Sequence, residues 1–121
     1  MPPTTQDRLL DIIESISSIE KMIQGKNLEQ FASDMMLRLA TERLLEIVCE
    51  ASRRLPEEIK KNEPAINWQK MIDFGNVLRH AYHAIRVDIV WDILQSDLPV
   101  LKSFAVRSTK TIGRAKGDAD Q

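Results

Sequence analysis

Residues that break helices are rare in this chain of 121 residues, and their positions constrain the fold more than any other feature. Its four glycines and five prolines fall mostly between long segments. Within those segments, apolar residues recur every three or four positions, which is the period of an amphipathic helix. The sequence therefore predicts an all-α protein.

Four long helices account for most of the chain. The apolar stripes predict helices over about residues 9–23, 36–55, 68–82 and 87–104. Gly25 follows the first stripe as a helix stop, and Ser33 or Asp34 precedes the second stripe as a cap. Asn67 is the predicted cap of the third helix, and Pro99 predicts a kink in the last one.

The short connections between these helices favour one architecture, an antiparallel four-helix bundle. We expect a single domain over residues 1–109. A disordered tail is expected over residues 110–121, where small and charged side chains dominate. The second helix carries more apolar residues than one bundle covers, so we also expect the chain to form a homodimer.

The charge balance excludes binding of nucleic acid through the overall charge of the protein. Seventeen basic and eighteen acidic side chains leave a net charge of -1, so any nucleic-acid site must be a local patch. No apolar run approaches the ~20 residues of a transmembrane helix, and the first residues lack a secretory signal. The single cysteine, Cys49, cannot form an internal disulfide. These features predict a protein of the reducing cytoplasm without a membrane contact.

A nine-residue segment from Gly75 to His83 contains most of the side chains suited to catalysis. It holds both histidines of the chain, the only tyrosine (Tyr82) and Arg79. Histidine exchanges protons near neutral pH, so any acid–base chemistry is expected to come from this segment.

The residues alone leave two interpretations of the histidines open. His80 and His83 would be neighbours on a helix, which is compatible with a shared metal ion in a metal-dependent hydrolase. Alternatively, both sit at a helix end and bind backbone carbonyls or a carboxylate such as Glu50, without any chemistry.

Other candidate side chains are weaker. Cys49, on an apolar helix face, is typical of an inert core thiol, and the basic side chains at positions 53, 54, 60 and 61 are typical of a solvated face. No glycine-rich phosphate loop, paired-cysteine zinc pattern or Gly-x-Ser-x-Gly elbow is present, and we expect neither a cofactor nor a bound metal.

Several short motifs occur in an order that resembles the HepT-like toxins of the HEPN superfamily. They are residues 45–51, Leu55-Pro56, residues 64–68, Asn76-x-Leu78-x-His80-x-Tyr82, residues 88–91 and Asp97-Leu98-Pro99-x-Leu101. The resemblance extends from the first predicted helix to about Leu101, which is most of the chain.

This resemblance implies an all-α, four-helix-bundle homodimer encoded with a minimal nucleotidyltransferase antitoxin. It also implies a metal-independent ribonuclease site that contains an arginine and a histidine, and a tyrosine to which the antitoxin attaches AMP from ATP. The family motif is arginine, four residues of any kind, histidine, one residue and tyrosine, and the first spacer residue is often asparagine. Asn76, His80 and Tyr82 occupy the matching positions, so the resemblance makes Asn76 and His80 catalytic candidates and Tyr82 the AMP acceptor.

The arginine position of the motif departs from the family, because it is occupied by Gly75 and an arginine, Arg79, stands directly before His80. Neighbouring residues on a regular helix point about 100° apart, so Arg79 replaces the missing arginine only if the helix frays there or a dimer axis is nearby. The role of Tyr82 similarly requires the helix to end near Ala81. Without replacement by Arg79, the chain is a catalytically inactive HEPN bundle that binds a protein or a nucleotide. A Gly75→Arg substitution is then expected to raise RNA cleavage if the helix tolerates the larger side chain.

Overall fold

The computed structural model describes the backbone of residues 2–119 and their side chains other than those of Tyr82 and residues 114–119. Within this range the chain is helical and contains no strand, which confirms the predicted all-α class. The elements are α1 (Thr5–Ile23), α2 (Leu28–Ser33), α3 (Met35–Arg53), α4 (Glu57–Lys60), α5 (Trp68–His80), a 3₁₀ turn (Tyr82–Ala84), α6 (Val87–Asp92), a π-helical turn (Ile93–Asp97) and α7 (Leu98–Ala119). None of these helices is both long and apolar enough to cross a membrane.

Polar caps and a glycine bound the long helices where the sequence predicts them. Asp34 accepts a hydrogen bond from the backbone N–H of Leu37 at 3.0 Å, and Asn67 accepts one from that of Lys70 at 3.0 Å. Gly25 follows α1 with a φ of 74°, a left-handed conformation that favours glycine. The predicted starts of the second and third long helices and the end of the first are confirmed.

The short helix α2 was not apparent from periodicity, because six residues make less than two turns. Asn27 caps it by accepting a hydrogen bond from the backbone of Gln30 at 2.8 Å. Its Phe31 is fully buried, with a ring centroid 5.3 Å from that of Trp91. This aromatic pair joins α2 to α6 across the bundle.

One apolar core lies between the long helices. Helix α3 packs against α1 and α5, and α1 also packs against α7. The core includes Leu9, Ile12, Ile16, Ile19, Leu45, Val48, Met71, Leu78, Leu98, Leu101 and Phe104, all of them buried. The central position of α3 brings its carboxyl end beside α5.

The amino-terminal part of α3 does not bury the apolar stripe that the sequence predicts. Met36 and Leu39 are 80% and 55% exposed, and Ala40 is exposed as well. Leu37 and Thr41 face the core instead, so the register of the buried face is shifted by one residue there. The exposed residues Met36, Leu39 and Ala40 are called the α3 patch below.

The effect of Pro99 is a wider helical turn before it. The backbone N–H of Leu98 donates to the carbonyl oxygen of Ile93, five residues earlier, as in a π-helix. Helix α7 then continues to Ala119, past residue 110 where the sequence predicts a tail, and the predicted domain boundary at residue 109 stays a prediction. Residues 110–119 contain two glycines, which disfavour a helix, but no proline, which would break it. Residues 120–121, also part of the predicted tail, lie outside the described residues.

Candidate active site at the end of α5

The last turn of α5 carries the candidate catalytic side chains. Asn76 and His80 are exposed, and Arg79 is half-buried. Because Asn76 lies three residues before Arg79 and four before His80, it neighbours both on the helix surface. The structure therefore places Asn76, Arg79 and His80 near the carboxyl end of α5, where Asn76 accepts a hydrogen bond from Arg79.

Helix α5 ends near Ala81, which is the end that the predicted role of Tyr82 as AMP acceptor requires. His80 is the last helical residue, and Ala81 leaves the helix with φ of -137° and ψ of 42°. Tyr82 begins the 3₁₀ turn, so its backbone lies beyond α5. Its side chain is outside the described residues, and the prediction that this phenol accepts AMP stays a prediction.

Gly75 lies at a close contact between α5 and α3. A Cβ atom added to Gly75 would come within 2.8 Å of the Cβ of Cys49, and both residues are buried. Cβ atoms in proteins do not approach so closely, so a side chain at position 75 would push the two helices apart. Glycine is present because of this packing, and position 75 has no room for the motif arginine in this helix arrangement.

Arg79 reaches back along α5 from the turn after Gly75. Its Nη1 donates to Glu50 Oε2 on α3 at 2.8 Å, and its Nη2 donates to Asn76 Oδ1 at 2.6 Å. Side chains on a helix lean toward its amino end, which explains how Arg79 contacts a residue three positions earlier. The guanidinium thus lies beside Asn76, the direct neighbour of Gly75, and is fixed there from two sides.

Glu50 is the centre of a cluster of arginines, named the Glu50 cluster here: Glu50, Arg53, Arg54 and Arg79. Arg53 donates to both carboxylate oxygens, at 3.1 and 2.7 Å, and Arg54 Nε donates to Oε1 at 2.6 Å. With the bond from Arg79, each oxygen accepts two hydrogen bonds. The bonds from Arg53, and further those from Arg54 and Arg79, lower the pKa of Glu50 to about 2 against the opposing effect of partial burial.

A cleft of about 420 Å³ opens beside this cluster between α1, α3 and α5. Arg53, Arg79 and Glu50 line part of it. Other lining residues are Arg8, Asp11, Arg43, Glu46, Ile47 and Ala51. The cleft is large enough for a few water molecules or a phosphate-sized group and carries charged side chains of both signs.

The two histidines do not have the helical relation on which a shared metal site was considered. His80 ends α5, whereas His83 lies in the 3₁₀ turn. Among the described residues, no group of three or more His, Cys, Asp or Glu side chains is placed to hold a metal ion. The carboxylate suggested as a histidine partner, Glu50, binds three arginines instead.

Cys49 has the properties of a core thiol, as predicted. It is 1% exposed, and burial raises its pKa to about 12, although the charge of Arg79 opposes this shift. A thiol with such a pKa is almost entirely protonated at neutral pH and is a poor nucleophile.

Sequence reasoning missed the role of Lys60. It was taken as part of a solvated basic run, but it is only 4% exposed. Its Nζ lies 3.3 Å from the carbonyl oxygen of Ser52 and 3.5 Å from that of Arg53, at the end of α3. It also lies 5.8 Å from the ring centroid of Trp68. Lys60 therefore offsets part of the partial negative charge at the end of α3, and its Nζ also pairs with Glu57 Oε1 at 3.2 Å.

The amino-acid sequence is similar to one protein family and to several known proteins. The family model described as ribonuclease HepT-like matches residues 12–108. A relative from Thermococcus cleftensis, named "Probable ribonuclease HepT", is 35% identical over 102 residues, which cover 84% of this chain and 93% of the relative. A relative from Methanocaldococcus jannaschii, named provisionally as an RNase, is 32% identical over 94 residues, covering 78% of this chain and 86% of that one. No solved structure matches the chain.

Proposed function

Because this chain belongs to the ribonuclease HepT-like family, we propose that it is the toxin of a toxin–antitoxin pair and cleaves RNA at the end of α5. The observation that supports this proposal is the grouping of Asn76, Arg79 and His80 on the last turn of α5, with Tyr82 directly beyond it. The proposed partner is a minimal nucleotidyltransferase antitoxin, and the proposed location is the cytoplasm.

The proposed reaction uses the RNA's own 2′-hydroxyl group. Its oxygen attacks the phosphorus and the bond to the 5′-oxygen breaks, which leaves a 2′,3′-cyclic phosphate and a 5′-hydroxyl. One group must take the proton from the 2′-hydroxyl, and another must give a proton to the leaving oxygen. His80 serves in one of these transfers, an effect of roughly 10²- to 10⁴-fold on the rate.

The negative charge that grows on the phosphate needs a cation, and Arg79 is the proposed one. Such a stabilising group contributes roughly 3 kcal/mol, or more than a hundredfold in rate. Arg79 is positioned by Glu50 and Asn76, and Asn76 is a helix neighbour of His80. Helix α5 is not frayed at Arg79, so the proposed role of Arg79 depends on the reach of its side chain toward Asn76 or on a nearby dimer axis.

The proposed control of the toxin is the attachment of AMP to Tyr82. The phenol oxygen attacks the α-phosphorus of ATP, pyrophosphate leaves, and the antitoxin takes the phenolic proton. The end of α5 at His80 supports this role, because Tyr82 then belongs to a turn rather than to a packed helix.

The proposed homodimer is supported by the α3 patch. Met36 is 80% and Leu39 55% exposed, an unusual exposure for side chains that are adjacent on a helix face. Burial of this patch against a second copy of the chain would remove it from water. Light scattering at micromolar concentration should give twice the chain mass of 13.9 kDa, and a mass of one chain would contradict the dimer.

Cleavage is tested with the purified chain, labelled RNA and a metal chelator in the buffer. His80→Ala is expected to abolish cleavage, and His83→Ala, the matched control from the same segment, is expected to retain most of it. A wild-type chain that binds RNA without cutting it would support the alternative, an inactive HEPN bundle that acts as a binding module. Loss of activity with the chelator, restored by zinc, would support a metal-dependent hydrolase.

The modification is tested by incubating the chain with the partner nucleotidyltransferase, magnesium and ATP. Intact-mass spectrometry should show the addition of one AMP, and peptide mass spectrometry should place it on Tyr82. The variant Tyr82→Phe should remain unmodified. An unmodified wild-type chain, or AMP on another residue, would contradict this part of the proposal.

A further inference from the structure

Two cations beside the proposed active site have no part in the reaction described so far. Arg53 ends α3 and Arg54 is its C-terminal cap. Their side chains are 42% and 50% exposed, so solvent and ligands can reach them. Both contact Glu50, which also binds the proposed catalytic cation Arg79.

The Glu50 cluster has more positive than negative charge. One carboxylate lies among three guanidinium groups, which leaves an excess of two positive charges. Each guanidinium carries five N–H donors, whereas Glu50 receives two from Arg53 and one from Arg54. Arg53 uses its Nε and Nη2 on Glu50, and Arg54 uses its Nε, so the further N–H groups that these exposed side chains can offer to a phosphate lie at the Nη ends of the guanidinium groups.

The surroundings of the cluster carry charges of both signs, since Arg8 and Arg43 line the neighbouring cleft together with Asp11 and Glu46. The carboxyl end of a helix carries partial negative charge, which would repel a phosphate. At the end of α3, the ammonium group of Lys60 lies against the last carbonyl oxygens and offsets part of this charge, while it also pairs with Glu57 Oε1 at 3.2 Å. Glu50 keeps the three arginines close together, which their mutual repulsion would otherwise oppose.

The cluster is continuous with the proposed active site. Arg79 contacts Glu50 through Nη1 and Asn76 through Nη2, so one side chain belongs to both groups. Because Arg53, Arg54 and Arg79 all bond to the same carboxylate, a strand with one phosphate at Arg79 can place an adjacent phosphate at Arg53 and Arg54. Arg53 also lines the cleft of about 420 Å³ that opens there.

We propose that Arg53 and Arg54, held by Glu50, bind the RNA phosphate next to the one that is cleaved, an inference that rests on the proposed function. They position the strand and do not take part in the bond changes. Their contribution is therefore to affinity and to its salt dependence, since contact with phosphates of a single strand releases counterions.

The test measures binding separately from cleavage. The probe is a short fluorescein-labelled 2′-O-methyl RNA of mixed sequence, which lacks the attacking hydroxyl and cannot be cut by the proposed reaction. Fluorescence anisotropy is recorded over a series of salt concentrations for the full chain and its variants. The double variant Arg53→Gln/Arg54→Gln should bind at least about fivefold more weakly, and its log–log salt slope should fall by roughly 0.7 for one lost phosphate contact.

The matched control is Arg107→Gln, because Arg107 is also an exposed arginine paired with a glutamate, Glu63, but lies on α7. It should bind the probe like the wild type. Circular dichroism verifies folding of each variant. If the double variant does not fold, the single variant Arg54→Gln, which removes only one bond to Glu50, should show a smaller change in the same direction.

Three results would overturn the inference: no binding of the probe by the wild type, unchanged binding by the arginine variants, or an equal loss in Arg107→Gln. The proposed function is contradicted by a different result, namely that the wild-type chain does not cleave unmodified RNA. If the chain binds the probe through Arg53 and Arg54 but does not cut RNA, the proposed phosphate site is supported and the proposed ribonuclease activity is contradicted.

Discussion

Two contacts between α3 and α5 lie side by side and differ in burial, in the room around them and in charge. At the inner contact, Cys49 meets Gly75 in the buried interior, without room for a further carbon atom. At the outer contact, Glu50 meets Arg79 through a 2.8 Å ion pair at the rim of an open cleft. The contacts use adjacent residues on α3 and residues one turn apart on α5.

Gly75 at the motif position and Arg79 one turn later belong to the same packing of α5 on α3, and the proposed replacement of the motif arginine by Arg79 depends on both contacts. Close packing at Gly75 leaves no space for an arginine there. Arg79 lies on the same face of α5 one turn later and leans back toward Asn76. The inner contact sets a close approach of the two helices, and the outer contact holds the guanidinium that the proposed reaction uses.

The largest change in the free energy of unfolding is expected from an arginine at the inner contact. Gly75→Arg places a charged side chain against Cys49 in the core and should lower the free energy of unfolding by at least about 3 kcal/mol. It should not raise cleavage, contrary to the expectation from the motif alone. Urea unfolding followed by circular dichroism gives the first value, and an RNA cleavage assay gives the second.

The same substitution at Gly113 provides the control, since a Cβ there meets nothing within 4 Å on α7. Gly113→Arg should leave stability unchanged or slightly raised, because arginine has a higher helix propensity than glycine. A stable Gly75→Arg variant with increased cleavage would show that the inner contact adapts and that the motif arginine is merely absent.

A smaller effect is expected from an alanine at the inner contact. Gly75→Ala adds only the Cβ that would lie 2.8 Å from Cys49, and overpacking of this kind costs about 1–3 kcal/mol. An increase in stability would mean that helix propensity outweighs the close contact. The midpoint of urea unfolding distinguishes these outcomes.

The smallest effect concerns the outer contact and depends on pH. The pKa of Glu50 is lowered from 4.5 to about 2 in the folded chain, so its ionised form stabilises the fold at neutral pH. This contribution is present above pH 4.5 and is lost as the pH falls toward 2. Glu50→Gln should therefore unfold more easily than the wild type at pH 7, by about 1 kcal/mol for such half-exposed ion pairs.

The difference in the free energy of unfolding between the wild type and Glu50→Gln should shrink as urea unfolding is repeated at decreasing pH. It should vanish near pH 2. Asp88→Asn is a suitable control, since it removes a carboxylate from an exposed pair with Arg86. A difference between wild type and Glu50→Gln that stays constant from pH 7 to 2 would contradict the role of the ionised Glu50.

The features of the fold that follow from local sequence were predictable. The stripe of α1, the caps Asp34 and Asn67 and the stop at Gly25 depend on residues within a few positions of each other. An excess of apolar surface on this helix was predicted, but not that it lies at the α3 patch, because a stripe of apolar residues does not reveal which of them another helix covers.

The candidate site was predictable only in part. The segment around His80 was found from its composition and its resemblance to the family motif. The bond between Glu50 and Arg79 joins residues 29 positions apart, and only the packing of α3 on α5 brings them together. The burial of Lys60 and the contact of Gly75 with Cys49 arise from the same packing and leave no periodic signal.

The central claim is that Arg79 supplies the charge that position 75 cannot. Single-turnover cleavage of labelled RNA by Arg79→Gln tests it most directly, with Arg107→Gln as the control and circular dichroism as the measure of folding. The account predicts that Arg79→Gln cuts about a hundredfold more slowly than the wild type, corresponding to roughly 3 kcal/mol of lost transition-state stabilisation, while Arg107→Gln is unchanged. Equal cleavage rates for a folded Arg79→Gln and the wild type would contradict it.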